Sequence, residues 1–92
     1  MSKVYVIGSM FEAQEINKVC EALHNLKHQV RRIKPIKGTY QDAVRDCYKN
    51  IEWCDTLVAI AKSDGSISDR MIHDICFAEY SDKTIYIIRC NE

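Results

Sequence analysis

"TLVAIA", Thr56 to Ala61, is the most apolar run in the chain. It lies between Asp55 and Lys62, so the run is bounded by charge on both sides. A short uninterrupted apolar run of this kind reads as a central strand, buried on both faces of a parallel sheet. Such a strand needs helices above and below it, and the flanking sequence supplies them. Downstream, "KSDGSIS" (Lys62 to Ser68) is a loop by composition, and Ser68 or Asp69 can cap the helix that follows. That helix, "DRMIHDICFAEY", runs to about Tyr80. "TIYII" (Thr84 to Ile88) then reads as a last, buried strand.

Upstream, Tyr40, Ala43, Val44, Cys47 and Ile51 recur at helical spacing and make one apolar stripe. Pro35 and Gly38 break the chain ahead of it. Before the break, "QVRRI" (Gln29 to Ile33) reads as a strand, and Arg31 and Arg32 must point to opposite faces if it is regular. Ile16, Val19, Cys20, Leu23 and Leu26 form another helical stripe. "KVYVI" (Lys3 to Ile7) opens the chain as a β-branched and aromatic strand ending at Gly8.

The order is therefore β-α-β-α-β-α-β. This alternation predicts one α/β domain over residues 1–92. It is a flavodoxin-like or Rossmann-like three-layer sandwich around a four-stranded parallel sheet of order 2-1-3-4. In such folds ligands bind outside the carboxyl ends of the strands, where the strand order switches direction. Here those ends are "GSMF" (Gly8 to Phe11) and "AKSDGS" (Ala61 to Ser66).

Composition bounds the function. Thirteen Lys and Arg balance thirteen Asp and Glu, so no net field draws the chain to DNA or RNA polymers or to a membrane surface. No apolar run reaches the roughly 20 residues of a spanning helix. The first residues lack the pattern of a signal peptide, and a cytoplasmic location is the expectation. The five cysteines form no C-x-x-C pair, so no metal site is expected, and free thiols packed as small hydrophobes account for them. Neither G-x-G-x-x-G nor G-x-x-x-x-G-K-[ST] occurs, and no cofactor is expected.

Several residues at the nominated edge can do chemistry. Gly8 either lets the backbone approach a ligand or simply makes a turn. Ser9 adds a hydroxyl, Met10 and Phe11 continue the loop, and the helix that begins there offers free N–H groups to an anion. Lys62, Ser63, Asp64 and Ser66 either hydrogen-bond a sugar or base or form a polar turn. Asp74, in the second turn of the third helix, either borders the cleft or is a solvated helical carboxylate. Its neighbour His73 does not face it, because adjacent helical residues diverge, and a His–Asp catalytic pair is not expected. The basic residues Lys27, Arg31, Arg32, Lys34 and Lys37 either meet ligand phosphates or guard an edge strand against pairing.

These motifs, in this order, resemble the nucleoside 2-deoxyribosyltransferase-like family, which includes relatives that hydrolyse deoxynucleoside monophosphates. "KVYVIGSMF" is similar to the family's first strand and substrate loop. "IEWCDTLVAI" is similar to its third strand, and "DRMIHDICFAEYSDKTIYI" to its E-I-G-x-A segment with the strand that follows. The resemblance covers nearly the whole chain. It implies that Gly8, Ser9 and Phe11 belong to the first substrate loop. It also implies that Asp74 stands where the family has a nucleophilic glutamate, which attacks the anomeric carbon and releases the base. The logic is that of a retaining glycosidase. This chain departs from the pattern with Asp for Glu, one methylene shorter, and with Cys76 for the glycine two residues later.

The expected function is therefore binding of a nucleoside- or nucleotide-type molecule with little or no turnover. Gly8, Ser9, Met10, Phe11, Asp64, Ser66 and Asp74 are the expected ligand-binding residues. The alternative is an N-glycosidic hydrolase or deoxyribosyltransferase with Asp74 as catalytic nucleophile. A third reading is a protein-interaction module that keeps the fold. The resemblance also implies a homo-oligomer, since the family builds sites across subunit contacts.

Overall fold

Two strands run through the middle of the molecule with almost no solvent contact: β1 (Lys3–Gly8) and β3 (Thr56–Ile60). The computed structural model describes residues 2–9, 13–34 and 38–89. Met10, Phe11 and Cys90 lie outside the described residues. Around the two central strands come α1 (Ala13–Asn25), β2 (Gln29–Arg32), α2 (Tyr40–Trp53), α3 (Asp69–Tyr80) and β4 (Thr84–Ile88). All strand pairs are parallel and the sheet order is β2-β1-β3-β4, as the alternation predicts.

The pleat divides the core in two. Val4, Val6, Val58 and Ile60 point to one face and pack on Ile16 and Cys20 of α1. Tyr5, Ile7, Leu57 and Ala59 point to the other and pack on Ile51 of α2 and Met71 and Ala78 of α3. Arg31 and Arg32 split in the same way. Arg31 stacks its guanidinium 4.1 Å from the Trp53 ring centroid and donates to Asn50 of α2. Arg32 donates to Asn17 of α1.

Both C-terminal helices begin with side-chain caps. Thr39 and Asp42 form a reciprocal capping box ahead of α2. Ser68, rather than Asp69, caps α3, its hydroxyl accepting from the Met71 amide.

Three expectations are corrected. "TIYII" is not a buried strand: β4 is a sheet edge, with Tyr86 59% and Ile87 40% exposed. Among the described residues its strand neighbour is β3 alone, and α1 packs on β1 and β2, so α1 does not cover Tyr86. Leu26 is 68% exposed because α1 stops at Asn25 and the chain turns at Lys27, whose φ is 69°. Tyr40, the first residue of α2, is also outside the core.

Candidate functional site

A cavity of about 350 Å³ opens at the carboxyl edge of the sheet. Gly8 and Ser9 contribute the end of β1, Ile33 and Lys34 the chain beyond β2, and Lys62 the chain beyond β3. Ser68, Arg70, Met71 and Asp74 close it from α3. The position follows from topology: β1 and β3 are neighbours whose crossovers leave to opposite faces, which parts the chain at their carboxyl ends.

Gly8 acts here through its backbone. A Cβ at this position would lie 3.1 Å from Ile16 Cδ1 and 3.4 Å from Ile60 Cβ, so a side chain would press into the α1 face of the core. Space for a Cβ is tight here, and Ile16 would have to give way by a few tenths of an ångström. The φ of Gly8 is not in the left-handed region, which among the glycines holds Gly38 and Gly65.

Asp74 is the one charged residue buried among the described residues, 4% exposed. Burial pushes its carboxyl pKa up to about 6, against the pull of Arg70 and His73. Its Oδ2 has no hydrogen-bond partner among the described residues. Arg70, one helical turn earlier on the same side, does not pair with it. The Arg70 guanidinium lies 5.5 Å over the Tyr40 ring and donates through Nη2 to Cys47 Sγ at 3.2 Å, leaving Nε unpartnered among the described residues. Cys47 Sγ also accepts from the Tyr5 hydroxyl at 3.4 Å. Desolvation holds that hydroxyl in its neutral form, far above the usual phenol range. Asp74 Oδ2 and Arg70 Nε are thus a buried acceptor and a buried donor without partners among the described residues, which folded proteins seldom leave.

Asp64 and Ser66 are arranged differently. Asp64 Oδ1 accepts from the Ser66 amide at 2.9 Å and from the Ser66 hydroxyl at 2.6 Å. Those bonds hold its pKa below the usual carboxylate range. The pair closes a turn around Gly65, whose φ is +84°, and neither residue lines the cavity. The structure thus brings Gly8, Ser9 and Asp74 together and leaves Asp64 and Ser66 outside that wall. Lys34 and Lys62, each weighed as a ligand contact or as a bland surface residue, line the cavity, and Ser68, Arg70 and Met71 join it without having been nominated. For Arg70 a signal existed: it precedes Asp74 by four residues on one helix, so both share a face.

No group of three or more His, Cys, Asp or Glu side chains that could hold a metal ion occurs among the described residues. Cys20, Cys47 and Cys54 are buried free thiols and Cys76 is an exposed one. No helix among the described residues is long and apolar enough to cross a membrane.

No protein-family profile matches the sequence, and no curated protein does. Among solved structures the chain is similar to the CMP N-glycosidase BcmB of Clostridium botulinum. The likeness is one of fold. The TM-score is 0.67 at 13% sequence identity, over 97% of this chain and 90% of that one. Such coverage makes the whole four-stranded domain the shared unit.

Proposed function

We propose that this protein binds a nucleotide at the carboxyl edge of its sheet and turns it over slowly or not at all. The observation that carries the reading is the buried Asp74 carboxylate, whose Oδ2 has no partner among the described residues, in the wall of a cavity that also holds Lys34, Lys62 and Arg70. An unpaired buried carboxylate oxygen costs stability, and a ligand hydroxyl donating to the Asp74 carboxylate offsets that cost. The lysines and the Ser68-capped start of α3 suit a phosphate group. The similarity in fold to an enzyme named for acting on CMP supports a nucleotide as the ligand class. Slow turnover follows from the short side chain: a carboxylate set back by ~1 Å from an anomeric carbon loses ~10²-fold in rate.

A second reading, N-glycosidic cleavage, is favoured by the same carboxylate. Its pKa, raised to about 6, still lies below neutral pH, so the ionised form that a nucleophile needs is available. Its oxygen would bond to the anomeric carbon. The carbon–nitrogen bond would break with its electron pair leaving on the base, which takes a proton from water. A second water would then hydrolyse the glycosyl ester. Membership of the nucleoside 2-deoxyribosyltransferase-like family belongs to this proposal too.

CMP and a panel of other nucleosides and nucleotides, tested by calorimetry and chromatography, separate the readings. Binding is expected to weaken in Asp74→Ala by about 0.5–3 kcal/mol, the range for a lost neutral or charge-assisted hydrogen bond. Wild-type protein is expected to release little free base over hours. Rapid base release that disappears in Asp74→Ala makes the protein an enzyme. No binding of any nucleotide by the wild type ends both readings.

A further inference from the structure

Asp74 and Arg70 also border a second cavity, of about 290 Å³, between α2 and α3. Its α2 wall is Tyr40, Val44 and Tyr48, a stripe at four-residue spacing, and its α3 wall adds His73. The two cavities therefore share one carboxylate and one guanidinium in their walls. Their chemistry differs. The first carries Lys34 and Lys62. The second has no lysine and two tyrosine rings. Tyr48 is held in place by stacking on Phe77, ring centroids 4.4 Å apart at 24°. Tyr40 stands 61% exposed, steadied by Arg70. The sequence stripe that placed Tyr40 in the core left its ring without a core partner.

We propose that the groove between α2 and α3 is the subsite for a planar heteroaromatic ring, the base of a nucleotide whose sugar and phosphate occupy the first cavity. The proposal rests on the nucleotide reading above and extends it. A ligand with an anionic end, a hydroxylated middle and an aromatic end matches the order of the walls: lysines, then Asp74, then tyrosines. Tyrosine rings stack on any base and on heteroaromatic rings in general. The Arg70 guanidinium and the His73 imidazole give the ring's edge donors and acceptors.

The test compares CMP with ribose 5-phosphate, which has the same sugar and phosphate but no base. Affinities are measured by calorimetry for wild type, Tyr40→Ala and Val44→Trp. Tyr40 is exposed, so its truncation leaves the core intact, and the tryptophan fills the groove from the other position. Both variants are expected to bind CMP about 5- to 100-fold more weakly, the span that base–aromatic stacking covers. Ribose 5-phosphate is expected to bind all three proteins within about twofold, and wild type more weakly than CMP. CMP affinity unchanged in both folded variants overturns the subsite. So does equal weakening of both probes, which would mean that Tyr40 acts only by steadying Arg70. Equal affinity of wild type for the two probes likewise leaves no role for a base subsite. Absence of binding by either probe, or by any other nucleotide, removes the nucleotide reading and the subsite with it.

Discussion

Two carboxylates ten residues apart stand near the same edge of the sheet, and their surroundings are opposite. Asp64 is exposed, and both of its hydrogen bonds come from Ser66 within its own turn. Asp74 is buried, and one of its oxygens has no partner among the described residues. Asp64 has its pKa held down by donors, and Asp74 has its pKa raised by desolvation. A carboxylate satisfied by its own loop shapes that loop. A carboxylate buried with one oxygen unpartnered costs stability with no local return.

The largest expected effect tests the penalty at Asp74. Its folded pKa of about 6 lies above the ordinary value of 3.8. The folded state therefore holds this proton more tightly than the unfolded chain. Stability from that difference is fully present below about pH 4 and is lost as pH rises through about 6. At pH 7.5 Asp74→Asn is expected to be more stable than wild type by about 1–3 kcal/mol, since each tenfold difference in proton affinity between the two states is worth about 1.4 kcal/mol. The advantage should shrink as pH falls toward 4. Asp55 and Asp64, whose pKa values are lowered, act in the opposite sense in both proteins and cancel in the difference. Denaturant melts of the two proteins at a series of pH values measure it. A pH-independent difference would show that Asp74 is solvated.

A smaller effect is expected at Ser68, which caps the helix that carries Asp74 into the cavity. Ser68→Ala removes the acceptor of the Met71 amide and should cost about 1 kcal/mol in a thermal melt. It should also weaken binding of a phosphorylated ligand more than that of the free nucleoside. The smallest effect sharpens the contrast: Asp64→Ala is expected to leave nucleotide affinity unchanged in calorimetry. A loss there as large as that of Asp74→Ala would erase the distinction between the two carboxylates.

The sheet order, the parallel pairing and the start of α3 at Ser68 or Asp69 were legible because they follow from local signals, and the structure chose Ser68 as the cap. Apolar runs at Val4 to Ile7 and Leu57 to Ala61, helical stripes between them and turn residues at their ends leave few arrangements. The stripe logic failed at its margins. Leu26 and Tyr40 have the right spacing but stand at helix ends, where the chain turns away from the sheet. "TIYII" has the composition of a buried strand, and the exposure of Tyr86 depends on where α1 lies, which no property of those five residues encodes.

Hydrophobic periodicity acts over a few residues, and it was enough to specify the alternation of strands and helices, the central place of β1 and β3 and the edge at which their loops meet. The burial of Asp74 came from the packed fold alone. So did the turning of Arg70 to Cys47 and Tyr40 instead of to Asp74, the closure of Asp64 on Ser66 outside the cavity, and the close approach of Ile16 to Gly8. Burial, desolvation and the presence of a partner depend on side chains brought together from distant positions, and a spacing rule along one helix cannot count them.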